Sequence, residues 1–327
     1  MGLDGRRRAA AVVAALAVVY VVWGSTYLGI ALAIETLPPL LMAGVRFLVA
    51  GLVLYVAARA VGAGREARPD RTQWGAAALT GVLMLSIGNG GVSWAEQTVP
   101  SGVAAVVIVT IPLWVVVLDR VFFGSRLSWL AAVGVGVGFA GVAVLVDPSA
   151  SDRIDPAGAL VLLVAALCWA TGTLLSRGQR LTVPPLVGAG MQMLCGGVTL
   201  MVAGAVTGEL ADVQAPSWRS ALALAYLILF GSLLAFSAYV WLLRNARTSL
   251  VATYAYVNPV VAVLLGWAVL DEAVTTRTLV AGGVILGAVA LIVSARPATA
   301  GAPGRPSLRA RLRSAGRSRA EAATRGR

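Results

Sequence analysis

The chain contains no histidine and no lysine; all 26 of its basic residues are arginine. Without histidine there is no imidazole base and no histidine metal ligand, and without lysine there is no Schiff base. Charge of either sign is scarce, at 12% of residues, where a soluble domain carries about a quarter. Too few polar groups remain to cover a water-facing globule. A disordered chain is excluded too, because it would leave its apolar majority wet. The two cysteines, Cys168 and Cys195, lie inside apolar runs. They form neither a disulfide framework nor a CxxC pair and read as small buried hydrophobes. There is no P-loop, no GxSxG elbow and no acid pair inside an apolar run. An ATP-driven pump is therefore excluded, and an enzyme is only a remote alternative, as is a channel. No metal and no cofactor is expected.

What is present is apolar: 59% of the 327 residues are hydrophobic and the mean hydropathy is +0.86. Ten runs are long enough to span a bilayer, at about 9–34, 38–60, 74–95, 99–118, 128–146, 156–176, 184–206, 218–241, 248–270 and 276–294. Each has about 20 residues or slightly more, which suits a hydrocarbon core of roughly 30 Å. The runs are continuous and do not alternate with period two, so they predict an all-α membrane protein and not a barrel. The first run is also too long for the roughly 7–15-residue core of a signal peptide.

With the N-terminus placed in the cytoplasm, 22 arginines fall inside, three fall outside (Arg153, Arg219, Arg277) and Arg46 lies within a span. That asymmetry follows the positive-inside rule and puts both termini in the cytoplasm, as does an even number of spans. The absence of lysine and the abundance of Ala, Gly, Val and Arg point to a GC-rich bacterial genome, hence to the cytoplasmic membrane. Residues 295–327 carry nine arginines and one acid. They predict a disordered cytoplasmic tail that orients the chain and attracts anionic lipid. Aromatic residues for stacking bases are missing from it, so nucleic acid is not an expected partner.

The chain is also a duplication. A shift of 146 residues places Trp23 on Trp169, Pro38-Pro39-Leu40 on Pro184-Pro185-Leu186, Gly44 on Gly190 and Gly51 on Gly197. A shift one residue longer places Trp94 on Trp241, Pro112 on Pro259 and Gly136 on Gly283. The expected domains are two five-helix repeats, 9–146 and 156–294. Five is odd, so the second repeat enters the membrane inverted. That architecture belongs to secondary transporters, whose site lies near the bilayer middle where the halves meet.

The residues that carry this pattern resemble the drug/metabolite transporter superfamily, in its EamA-type ten-helix branch. They are WGSTY at 23–27, PPLLMAGVRFLVAG at 38–51 and the stretch from Trp94 to Trp129, repeated as CWATGTLLSR at 168–177 and YVNPVVAVLLGWAVLDEAVTT at 256–276. The resemblance covers nearly all of residues 9–294. It implies secondary transport, often export, of amino acids, other small metabolites or drugs. Where the family has Glu in the turn between the fourth and fifth helices, the first half has Ser125 and the second has Asp271 and Glu272. If that acid caps the following helix, Ser125 serves in its place.

Several residues are candidates for binding substrate. Burying Arg46 costs at least about 2.5–3.5 kcal/mol, so it faces either a cavity or a partner. It is a counter-ion for a substrate carboxylate, or a structural partner of Glu35 or Glu96. Gln192 holds its place in the second half. Glu96 is either a solvated helix-end acid or the carrier of a coupling proton. Trp23 and Trp169 are candidate cavity walls. Ser25, Thr26, Tyr27, Asn89, Trp94, Tyr239, Tyr254 and Asn258 complete the expected site, although hydroxyls in spans also bond their own backbone. Pro112 and Pro259 are expected helix breaks, which mark transporter sites or are ordinary kinks. The GxxxG pairs Gly134/Gly138 and Gly283/Gly287 are expected close-packing faces of the repeat interface or of a homodimer. The reading is a secondary transporter working by alternating access, most simply an amino-acid exporter. The alternative is a carrier of drugs or nucleoside-like metabolites.

Overall fold

The computed structural model describes residues 3–60, 69–124, 128–146, 154–178, 183–246, 248–251 and 253–294. The tail at 295–327, Ser125 and most of the joining segment at 147–155 lie outside them. Among the described residues the chain is helical throughout, without strands. In chain order the rods are α1 (Leu3–Ala33), α2 (Pro39–Ala60), α3 (Arg71–Ala95), α4 (Ser101–Phe123), α5 (Trp129–Leu145), α6 (Pro156–Gly178) and α7 (Pro185–Val206). They continue with α8 (Trp218–Tyr226, Leu227–Leu234 and Ala235–Asn245 in succession), α9 (Tyr254–Leu270) and α10 (Thr276–Ser294). Seven of these are long and apolar enough to cross a membrane, and α5, α9 and α10 are shorter apolar helices.

The helix starts are set by local chemistry. Asp70 and Gln73 form a reciprocal capping box at α3. Ser128 and Ser217 cap α5 and α8 through their hydroxyls, and Asp155 accepts from Ala157 N and Gly158 N at the start of α6. Each supplies an acceptor to a first-turn N–H that lacks an intrahelical partner.

Packing follows the duplication. Helix α2 lies along α7, α5 along α10, and α1 packs on α8 and α9 as α6 packs on α3 and α4. The repeated glycines make the α2–α7 contact. A Cβ on Gly51 would stand 2.8 Å from Leu194 N, and one on Gly190 would stand 2.8 Å from Tyr55 N. Backbone has replaced side chain at that seam, as in tight membrane packing. Gly134 and Gly138 likewise admit Ile292 and Leu113, whereas Gly283 and Gly287 face open space. The span-5 pair therefore packs within the chain and the span-10 pair does not.

Three irregularities interrupt the rods. Residues Val82–Asn89 of α3 and Leu227–Leu234 of α8 are π-helical, and they are mates under the repeat. Helix α4 breaks at Val109–Thr110, and Pro112 opens its second segment. Pro at the first turn gives up only an N–H that has no partner there anyway. Pro259 is different: α9 runs unbroken from Tyr254 to Leu270 through it. The expected helix break at Pro259 is corrected to an internal proline.

The two ends of the bundle differ. One holds Glu35, Glu96, Asp155, Glu209, Asp271 and Glu272 and is termed the acidic end; the other holds Arg59, Arg71 and Arg120. At the acidic end the halves are laced together. Glu209 accepts from Leu40 N and Leu41 N at 2.9–3.1 Å. Glu272 accepts from Ser101 N at 2.7 Å and Gly102 N at 3.1 Å. Thr98 donates to Asp155 at 2.7 Å, Ser217 N donates to Thr36 and Ser220 donates to Leu32 O. Arg219 and Glu35 are 3.7 Å apart. The acid of the α9–α10 turn thus does not cap α10, where Thr275 takes that position. It caps α4 of the other half.

Candidate functional site

Between the halves lies a cavity of about 130 Å³. Eight helices line it. Trp23, Thr26, Tyr27 and Ile30 come from α1, and Leu85, Gly88, Asn89 and Val92 come from α3. Both sets have the i, i+3, i+4, i+7 spacing of a single helix face. Arg46 and Phe47 enter from α2, Ala165 and Trp169 from α6, Met193 from α7, Gly231, Ser232 and Phe236 from α8, and Tyr254 and Asn258 from α9. Ile108 and Ile111 flank the break in α4, and the two π-helical segments contribute Leu85, Gly88, Asn89, Gly231 and Ser232. Every irregular stretch of backbone described above lines the cavity, which is where irregular backbone is tolerated at membrane depth.

Arg46 supplies the charge. It is 4% exposed. Its Nε donates to Ser232 Oγ at 2.9 Å and its Nη1 to Asn89 Oδ1 at 3.3 Å. The guanidinium carbon also lies 4.9 Å from the centre of the Phe47 ring. Glu35 is engaged by Arg219 instead. Among the described residues no carboxylate comes within ion-pairing distance of Arg46, and Nη2 makes no hydrogen bond. The charge is thus held by two neutral acceptors, which leaves the guanidinium edge able to take an anion.

Trp23 and Tyr254 give the cavity an aromatic wall. The Trp23 ring is 5.0 Å from Tyr239 and 5.2 Å from Tyr254, and Trp23 Nε1 donates to Gly231 O at 3.2 Å. The carbonyl accepting that bond belongs to the π-helical stretch of α8. Asn258 is 9% exposed, and its amide nitrogen donates to Tyr20 O at 3.2 Å and Tyr254 O at 3.1 Å. Thr26 donates to Trp23 O within its own helix.

Eight of the twelve expected binding residues line the cavity: Trp23, Thr26, Tyr27, Arg46, Asn89, Trp169, Tyr254 and Asn258. Four do not. Ser25 points to the opposite side of α1, pairing with Tyr226 Oη at 2.6 Å. Trp94 is 38% exposed at the bundle surface. Gln192 donates to Thr80 Oγ1 at 2.8 Å between α7 and α3. Tyr239 stands behind Trp23 as support for the aromatic wall. Phe47, Met193 and Phe236 were not among the expected binding residues. Glu96 departs from its solvated reading: it is 9% exposed, and both carboxyl oxygens are buried.

The sequence model of the EamA-like transporter family matches residues 10–147 and again residues 156–294. The chain belongs to that family. It is a membrane transporter of the drug/metabolite type. It is 43% identical over 280 residues to the uncharacterized inner membrane transporter YedA of Escherichia coli K12, covering 85% of this chain and 89% of that one. It is 26% identical to the WAT1-related protein At3g02690, chloroplastic, of Arabidopsis thaliana, covering 83% of this chain and 66% of that one. It is 25% identical to the uncharacterized transporter YvbV of Bacillus subtilis, covering 85% and 90%. A solved crystal structure at 22% identity superposes with a TM-score of 0.61, covering 86% of this chain and 96% of that one, which supports the fold alone.

Proposed function

We propose that this family member is a secondary carrier that exports small carboxylate-bearing metabolites, amino acids first among them, by alternating access. The observation that carries the reading is Arg46, a buried guanidinium in the central cavity with two neutral acceptors and, among the described residues, no carboxylate partner. An anionic group of the substrate completes it. No acid lines the cavity among the described residues, so a net cation finds no counter-charge there. The volume also favours a small solute: about 130 Å³ compares with the roughly 150 Å³ of a cavity that holds benzene.

The direction rests on the two ends. The excess of arginine puts the acidic end outside the cell. That end is held shut by carboxylate caps between the halves, so the carrier at rest loads from the cytoplasm. With that sidedness, both termini belong to the cytoplasmic side in this reading.

Counterflow in proteoliposomes tests the reading. Vesicles loaded with unlabelled amino acids should take up a labelled amino-acid mixture saturably, and Arg46→Gln should lower that exchange at least tenfold. Gln192→Ala, outside the cavity, should not. Exchange unchanged in Arg46→Gln would make the arginine structural. Uptake of nucleosides in place of amino acids would move the substrate class to ring-bearing solutes stacked on Trp23 and Tyr254.

A further inference from the structure

Glu96, the residue that follows α3, is an acid that neither the cavity nor the capping network uses. It caps the last turn of α3, its own N–H donating to Val92 O at 3.0 Å. It continues the face of Leu85, Gly88, Asn89 and Val92, one turn beyond the cavity toward the acidic end. Both of its carboxyl oxygens are buried, and neither has a hydrogen-bond partner among the described residues.

The groups around it are few. Arg46 of α2 and Tyr27 of α1 face it from the cavity side, and Glu272 of the α9–α10 turn faces it from the other. The Ala31 backbone of α1 also faces it without reaching hydrogen-bonding geometry. Two backbone N–H groups at the start of α4 donate to the Glu272 carboxylate oxygens. Arg46 is satisfied by Ser232 and Asn89 and stands beyond ion-pairing distance. A carboxyl buried without a donor, beside a second carboxylate that does have donors, is held more cheaply as the neutral acid.

We infer that Glu96 is a proton-carrying residue of the transport cycle, which rests on the carrier reading above: with the acidic end packed as here, it holds its proton until substrate loads. As substrate loads from the cytoplasm, the carboxyl O–H bond breaks heterolytically and the proton passes to cytoplasmic water through the cavity. When the acidic end opens and substrate leaves, re-closure requires a proton to be taken up from the outer water. One proton thus enters for each substrate that leaves.

The test has two parts. Infrared spectra of the purified full-length protein in lipid at pH 7 should contain the carbonyl stretch of a protonated carboxyl. Glu96→Gln should remove that band, Glu96→Asp should shift it and Glu209→Gln should leave it. A spectrum identical in wild type and Glu96→Gln overturns the proposal, and it does so whether or not any substrate is transported. In proteoliposomes given the labelled amino-acid mixture, a pH gradient should raise wild-type flux several-fold over the rate without a gradient. Glu96→Gln should show no such increase over its own rate without a gradient, and Glu96→Asp should restore part of it. A full gradient response in Glu96→Gln also overturns the proposal. A wild type that carries the Glu96-dependent band but exchanges no amino acid instead refutes the substrate reading and leaves the proton site standing.

Discussion

Arg46 and Gln192 occupy the same place in the two halves, yet only the arginine reaches the cavity. Burying a guanidinium costs enough that its position inside a span was legible as functional or paired. What the sequence could not supply was rotation about the helix axis. Trp23, Ser25, Thr26 and Tyr27 are nearly consecutive, and a helix turns about 100° per residue. They cannot all face one way, and Ser25 falls on the far side with Tyr226. The i, i+3, i+4, i+7 stripe was present in the sequence; the direction it faces is a tertiary fact. The burial of Glu96 and the cross-half target of Glu272 were hidden for the same reason, since both depend on which helix of the other half lies alongside. Lysine carries the charge of arginine without its fork. Arg46→Lys cannot hold Ser232 and Asn89 in the same geometry, so the apparent KM for amino-acid exchange should rise about tenfold or more. A second prediction concerns Asp155, whose carboxyl is held below the usual carboxylate range, first by the Thr98 hydrogen bond and then by the Ala157 and Gly158 N–H groups. A depressed native value adds stability above the unfolded value near about 4. That contribution is lost as pH falls through the lower native value. The gap in melting temperature between wild type and Asp155→Asn should therefore be constant near neutrality and close in strong acid.

At the scale of elements, glycine separates the seams from the surfaces. Gly190 meets the Tyr55 backbone at 2.8 Å from an added Cβ, and backbone cannot swing aside as a side chain can. Gly190→Ala should destabilise the protein by about 1–3 kcal/mol, read as a fall in melting temperature in detergent. Gly136 has nothing within 4 Å of an added Cβ. There Gly136→Ala should be neutral, or stabilising by up to about 1 kcal/mol, through helix propensity alone. Pro112 and Pro259 teach a related lesson. The repeat aligns them, but one opens a helical segment and the other lies within a continuous helix. Proline removes a donor at either position; whether the rod breaks depends on the residues before it, and Val109–Thr110 form a turn in α4. The paired π-helical segments had no signature of composition. Their equivalence under the duplication became visible only once both halves were folded.

At the scale of the whole molecule, the halves share a plan of packing and differ in where they put charge. Arg46, which lines the cavity, and Glu96, one turn beyond it, come from the first half. Glu209 and Glu272, which seal the acidic end, come from the second and cap helix starts of the first. Replacing both with glutamine weakens two charge-assisted caps. In Glu209→Gln/Glu272→Gln, a thiol reagent that cannot cross the membrane should label a cysteine placed at Val92 from the acidic side faster than it does with both acids intact. Equal rates would assign the closure of that end to apolar packing alone. This division of charge has a corollary for the duplication. A tandem of two first halves would put a second arginine at position 192 and have no lid acids. A tandem of two second halves would have lid acids and an uncharged chamber. A chamber that holds both the buried arginine and the lid acids therefore takes one copy of each half.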